Sequence, residues 1–185
     1  MDTHKAIRTR RTAHLWQAVS VPDEVIRRGL EAAHCAPCHR LTWPWRFVLP
    51  GPVTRDRLFE IGVQLKATKT GSEITDDFRR KMEPKLLNPA LVVVTQRISD
   101  NPRMFEEDYA ACACAIQNLC LSVHADGFYS KWSTGGLTTH AQTYEVLGVA
   151  SDVERIIGFV WIGTPARVPS APKRSDLDEH TRRLE

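Results

Sequence analysis

Apolar positions change their spacing along the chain, and each change marks an element. Asp2 to Thr9 reads as a short helix that runs into a cluster of Arg8, Arg10 and Arg11. Pro22, followed by Asp23 and Glu24, opens a second helix with Val25, Ile26, Leu30 and Ala33 on one side, and Pro37 stops it. Trp45 to Leu49 has strand character. Thr54 to Lys66 follows as an amphipathic helix, because Leu58, Ile61 and Leu65 recur at helical spacing. Residues 67–88 are polar and read as a loop leading into a helix around Asp76 to Met82. Asn88-Pro89 then introduces a β-branched strand, Ala90 to Thr95.

Glu106 to Ala125 predicts a long helix. Tyr109, Cys112, Ile116, Leu119, Leu121 and Val123 leave it little polar face, so it is expected to be buried at the centre of the fold. Cys112, Cys114 and Cys120 are expected to fill that core as small hydrophobes. Gly127 ends the helix, Phe128 to Ser133 reads as a strand entering Thr134-Gly135-Gly136, and a helix is expected near Gln142 to Leu147. Arg155 to Ile162 is a strand closed by Gly163-Thr164-Pro165, and the last twenty residues form a frayed tail or a docking arm. With strands far apart in sequence and no βαβ repeat, the class is α+β. One domain is expected over residues 1–185, with a C-terminal arm from about 165.

Composition narrows the function. A chain of 185 residues can bury a core without metal or disulfide staples. Lys and Arg together number 25 against 22 for Asp and Glu, which gives no basic stripe of the kind nucleic acid requires. The polar opening MDTHKAIRTRRT lacks the apolar core of a signal peptide, and no apolar run reaches the roughly 18 residues of a membrane span. The cytoplasm is the expected compartment, where five cysteines are expected to be free thiols.

The stretch HCAPCHRLTWPW, residues 34–45, contains Cys35-x-x-Cys38-His39. That spacing fits a c-type haem attachment, which would need export, or a redox dithiol. A dithiol favours a helix N-terminus, where the dipole lowers the thiolate pKa, whereas Cys35 falls at a predicted helix end. Zinc would need a second ligand pair at matching spacing, and none recurs. Cysteines that simply fill a helix end remain an alternative.

Read with its surroundings, LEAAHCAPCHRLTWPWRFVL resembles the nitroreductase family of flavoproteins. There, a helix ending in Glu-Ala-Ala is followed by Ala-Pro-Ser and then Gln-Pro-Trp-Arg-Phe. RTRRTAHLW is similar to the family's N-terminal Arg-Arg-Ser-x-Arg-x-Phe. IQNLCLSVHADGFYSKWSTGG is similar to its central helix and departing strand, and RIIGFVWIGTP to its final strand. The resemblance implies a central, mostly antiparallel sheet flanked by helices, in a homodimer that binds FMN between subunits. It also implies NAD(P)H as co-substrate and an electron-poor acceptor (a nitroaromatic, quinone or enone) reduced by a ping-pong route.

Phosphate recognition calls for guanidinium forks, which Arg10 and Arg11 offer, with the Thr12 hydroxyl beside them. The resemblance places these three on FMN, with Lys173 or Arg174 of the tail as a further phosphate cation. His14 stands where the family often has Arg or Lys near the flavin N1 and C2 carbonyl. Histidine is a full cation only when protonated, so a lower or pH-dependent flavin potential is expected. Trp132, Ser133 and Thr134 match the segment that meets the flavin edge through backbone and side chains. Cys35 and His39 are implied to contact FMN across the dimer. Leu41 and Trp43 replace the family's Asn and Gln and are expected to shape the substrate pocket. No catalytic acid or nucleophile is expected, since the flavin is the reactive group. The alternatives are a flavin-storing protein whose cleft is closed by Trp43, and a dithiol oxidoreductase using Cys35 and Cys38.

Overall fold

The computed structural model describes residues 1–184, so Glu185, the last residue of the expected arm, lies outside the description. Thr3–Thr9 forms α1, capped by the Asp2 carboxylate, which accepts from the Lys5 N–H at 2.9 Å. Asp23–His34 forms α2, with Asp23 and Glu24 at its positive end and Cys35 at its C-cap. Trp45–Val48 is β1, Ala90–Arg97 β2, Tyr129–Ser133 β3 and Glu154–Gly163 β4. They form one antiparallel sheet in the order β1-β2-β4-β3.

The two central strands are buried on both faces, and this explains their near-continuous apolar character. On one face, Val92, Val94, Val160 and Ile162 pack with Val25 and Ala33 of α2 and Ile116, Leu119 and Val123 of Pro102–Ala125, which is α6. On the other, Leu91, Val93, Phe159 and Trp161 pack with Leu58 of Pro52–Thr70, which is α3, and with Tyr144 and Leu147 of Ala141–Leu147, which is α7. The register slips between Val94 and Thr95, leaving an extra residue in β4. Ile157 and Gly158 therefore sit side by side on the α2–α6 face.

The structure extends several expected elements. Pro52 is tolerated in the first turn of α3, whose N–H groups have no partner within the helix, and the helix continues to Gly71, left-handed at φ 63°. Residues 67–88 hold two short helices, Asp76–Arg80 (α4), capped by Thr75, and Glu83–Leu86 (α5). Asn101 caps α6 by accepting from the Met104 N–H at 3.2 Å, so that helix begins four residues before Glu106. It is not buried all round in one chain. Ala110, Cys114 and Gln117 are exposed, and of its cysteines only Cys112 and Cys120 are core. The expectation for Cys114 is corrected, because its position lies outside the arc that α2 and the sheet cover.

The end of β4 is tied to the N-terminal connection. Gln17 Nε2 donates to the Pro165 carbonyl at 3.0 Å, and the Ala166 N–H to the Leu15 carbonyl at 2.9 Å. Beyond that tie the tail is almost wholly exposed, with one 3-10 turn at Leu177–His180. Among the described residues, no helix is long and apolar enough to cross a membrane.

Candidate active site

A cleft of about 1090 Å³ opens on the α3 face of the sheet. Its floor is the pair Phe159 and Trp161, stacked with ring centroids 5.8 Å apart and planes 28° from parallel. Trp161 is fixed from two sides. Its Nε1 donates to Ser133 Oγ at 2.8 Å, and the Arg55 guanidinium lies 5.4 Å from its ring centroid. Arg55 Nη2 donates to the carbonyls of Leu86, Leu87 and Pro89 at 2.6, 3.0 and 2.7 Å. One side chain thus holds both the aromatic floor and the segment that carries Lys85. Burial pulls Arg55 down to about 10, against a smaller opposing effect of Asp56, so it remains a cation at neutral pH.

Four lysines line the cleft: Lys66 and Lys69 on α3, Lys85 on α5, and Lys131 on β3, with His14 beside them. Among the described residues no carboxylate lines it and none of the four forms an ion pair. Burial, and secondarily the charge of Lys85, holds the Lys131 amine below the usual lysine range. Strand alternation places Lys131 and Ser133 on this face. The Gly135-Gly136 turn forms one edge. Gly62 allows α3 to close against α5, since a Cβ there would fall 2.6 Å from Leu86 Cδ1. His140, whose Nδ1 is buried without a partner among the described residues, completes the wall. Cations, a flat aromatic floor and hydroxyl and amide donors suit a flat, anionic ligand.

Of the residues singled out in the sequence, His14 and Ser133 line this cleft. Thr12 lies next to it, bridged in parallel to Ser130 at the start of β3. Arg11 Nη1 donates to the Arg8 and Arg10 carbonyls at 2.7 and 2.8 Å. Arg10 lies toward the end of α6, where its charge acts on Cys120 and His124. The Trp132 side chain is a correction: it points to the opposite face, against Gly158, and its Nε1 donates to the Ile157 carbonyl at 3.2 Å. The same alternation that brings Lys131 and Ser133 into the cleft turns Trp132 away. Thr134 lines a separate cavity of about 470 Å³, beside Arg155, which lies over Phe105 and Tyr109. Arg174 sits in the exposed tail.

Cys35, His39, Leu41 and Trp43 lie on the α6 side of the sheet, a layer away from the cleft. Arg40, Leu41 and Trp43 are left-handed, at φ 56°, 54° and 47°, each costing roughly 1–2 kcal/mol for a residue with a Cβ. Local bonds hold them there. Thr42 Oγ1 donates to buried Asp108 Oδ1 at 2.6 Å and lies 3.2 Å from Cys38 Sγ, and the Trp43 N–H donates to that sulfur at 3.3 Å. Leu41 and Trp43 are left 65% and 42% exposed. His39 lies 3.8 Å from Glu107. Burial pushes the nearby Cys112 thiol up to about 12, with Asp108 adding to the effect, so Cys112 stays protonated and acts as a packing group.

Sequence reasoning missed the lysines. Lys131 was legible from its two-residue spacing to Ser133, and Lys66 and Lys69 from their place on α3 beside Gly62 and Leu65. Lys85 had no local signal.

A four-stranded antiparallel sheet between helical layers, with a cationic, aromatic-floored cleft at one face, defines an α+β protein built to hold a flat anion. The chain belongs to the nitroreductase family, whose model matches residues 7–164. It is 28% identical over 172 residues to a Bacillus subtilis protein provisionally named NAD(P)H nitroreductase YfhC, covering 92% of this chain and 88% of that one. Its fold matches a nitroreductase-like family protein from Bacillus cereus with a TM-score of 0.81 at 23% identity, over 100% and 97% of the two chains. It also matches a nitroreductase with bound FMN from Bacteroides fragilis, with a TM-score of 0.73 at 22% identity over the full length of both.

Proposed function

We propose that this chain is an FMN-dependent oxidoreductase of the cytoplasm. In this reading it passes hydride from NAD(P)H to an electron-poor small molecule such as a nitroaromatic, quinone or enone, with donor and acceptor alternating in one cleft. The observation that carries this reading is the cleft itself: four lysines and His14 over a stacked Phe159–Trp161 floor, with no carboxylate among its lining residues. The stacked floor, with positive charge around it, fits a flat aromatic cofactor that gains negative charge on reduction. FMN, when bound, supplies the hydride-accepting centre, and the chain supplies binding, orientation and charge.

In this reading Arg10, Arg11 and Thr12 hold the phosphate and ribityl end, and Arg174 of the tail is a further phosphate cation. Ser133 and the main chain from Trp132 to Gly136 border the ring edge. His14 faces the end of the ring where negative charge gathers. One chain leaves the cleft open while its strained Leu41–Trp43 segment projects from another layer, so a second copy would bring Cys35, His39, Leu41 and Trp43 to the cofactor. The exposed Ala110, Cys114 and Gln117 on α6 are a face for that copy.

The direct test is spectroscopic. The purified protein, supplied with FMN, should turn yellow and bleach when NADPH or NADH is added without oxygen. A protein that binds no FMN would falsify the reading, and one that binds FMN but never bleaches would support storage. His14→Arg should raise the flavin midpoint potential by about 30–60 mV and flatten its pH slope, because arginine keeps its charge where histidine does not. Unchanged potential and slope would remove His14 from this role.

A further inference from the structure

The cleft carries more positive charge than one flavin phosphate employs. Two cationic groups concern the proposed ligands. Arg10 and Arg11 lie at the end of α1, toward His124 on α6. Lys66, Lys69, Lys85 and Lys131 line the other layer's cleft. If FMN, with its single phosphate, is held by the first group, as proposed above, the second remains without an anion.

Lys66, Lys69 and Lys85 are exposed, but a solvated lysine face does not account for Lys131. A surface lysine normally swings its ammonium into water, but Lys131 rises from the middle of β3 between Tyr129 and Ser133 and is half-buried. Lys85 approaches the same space from α5, so two like charges face one another, and no carboxylate lines the cleft to relieve them. A pair of ammonium groups placed in this way, one rising from a strand and one exposed on a segment whose backbone Arg55 anchors through three carbonyls, suits a compact dianion.

We propose that Lys85 and Lys131 form a phosphate-monoester subsite that receives the 2′-phosphate of the nicotinamide dinucleotide, so that the donor is NADPH rather than NADH. The proposal rests on the flavin reading of the same cleft. The two donors share their nicotinamide, riboses and pyrophosphate, and differ only in a ribose hydroxyl against a group of about two negative charges. Lys66 and Lys69, on α3, remain for the pyrophosphate that both dinucleotides carry.

The test uses the FMN-loaded protein and the unreactive dinucleotides NADP⁺ and NAD⁺, with binding followed by calorimetry and FMN affinity measured separately on every variant. The parent should bind NADP⁺ about tenfold or more tighter than NAD⁺. The Lys85→Gln, Lys131→Gln double variant should bring NADP⁺ to the NAD⁺ level, leaving NAD⁺ and FMN affinity as in the parent. Lys131→Arg, which keeps the charge, should retain most of the preference. Equal binding of the two dinucleotides by the parent overturns the proposal. So does an equal loss for both in the double variant, which would assign the lysines to the pyrophosphate. A double variant that loses FMN while keeping its dinucleotide ratio also overturns it, by assigning them to the flavin phosphate. A parent that takes up no FMN overturns the flavin reading itself, and the subsite with it.

Discussion

Replacing Gly158 with alanine should destabilise the protein by about 3 kcal/mol or more and lower its melting temperature by roughly 6–12 °C. A Cβ at this position would lie well inside van der Waals contact with the Trp132 indole, meeting both Nε1 and Cδ1. Neither partner can step aside. Gly158 is on β4, a central strand paired on both edges, and the indole is held by its bond to the Ile157 carbonyl. That carbonyl is presented by the β4 irregularity opposite Val94 and Thr95, so tryptophan, bulge and glycine form one unit. The consequence reaches the cleft, because Trp132 lies between Lys131 and Ser133 on β3. Trp132→Leu should remove most of the clash, and the double variant should lose clearly less than the sum of the two single losses. Thermal melts of the three variants check this, and a Gly158→Ala protein melting within 2 °C of the parent would refute it.

Arg55→Met should cost about 2–4 kcal/mol, since one change strips the partner from three backbone carbonyls in the α5–β2 connection. Methionine fills much of the volume under Trp161 but accepts and donates nothing in its place. The effect should also be functional. With Leu86, Leu87 and Pro89 released, the segment bearing Lys85 loses its anchor, so ligand affinity in the cleft should fall even at temperatures where the variant is fully folded. Arg55→Lys keeps a cation with three donors on a shorter stem and should recover part of the loss. Denaturant titration combined with NADP⁺ binding to the FMN-loaded protein separates the two effects. An Arg55→Met protein as stable as the parent would show that water replaces the guanidinium without cost.

Much of the fold was legible because local chemistry and tertiary packing agree. Val92, Val93 and Val94 read as a buried strand in isolation and are one. Pro22, Asp23 and Glu24 start α2 as their charges and ring geometry require. Boundaries were less legible where a cap decides them: Asn101 starts α6 ahead of its apolar pattern, and Gly71 lets α3 outrun its own. The site was read less completely. The motif Arg10-Arg11-Thr12-x-His14 was visible as a motif, but its distribution was not: His14 faces the cleft, while Arg10 turns toward α6.

By itself, the sequence determined the class of fold and the order of its elements, because these follow from periodicity and caps written within a few residues of one another, and its motifs resembled a family that implied the kind of ligand. Tertiary structure decided which face of β3 each side chain takes, sending Lys131 and Ser133 to the cleft and Trp132 to the opposite core. It also brought Lys85 from α5 to Lys131 across a long stretch of chain, and it placed Leu41 and Trp43 a layer away from the ligand cleft. These are relations between elements, fixed by sheet register, a bulge and helix packing, and no window of sequence contains them.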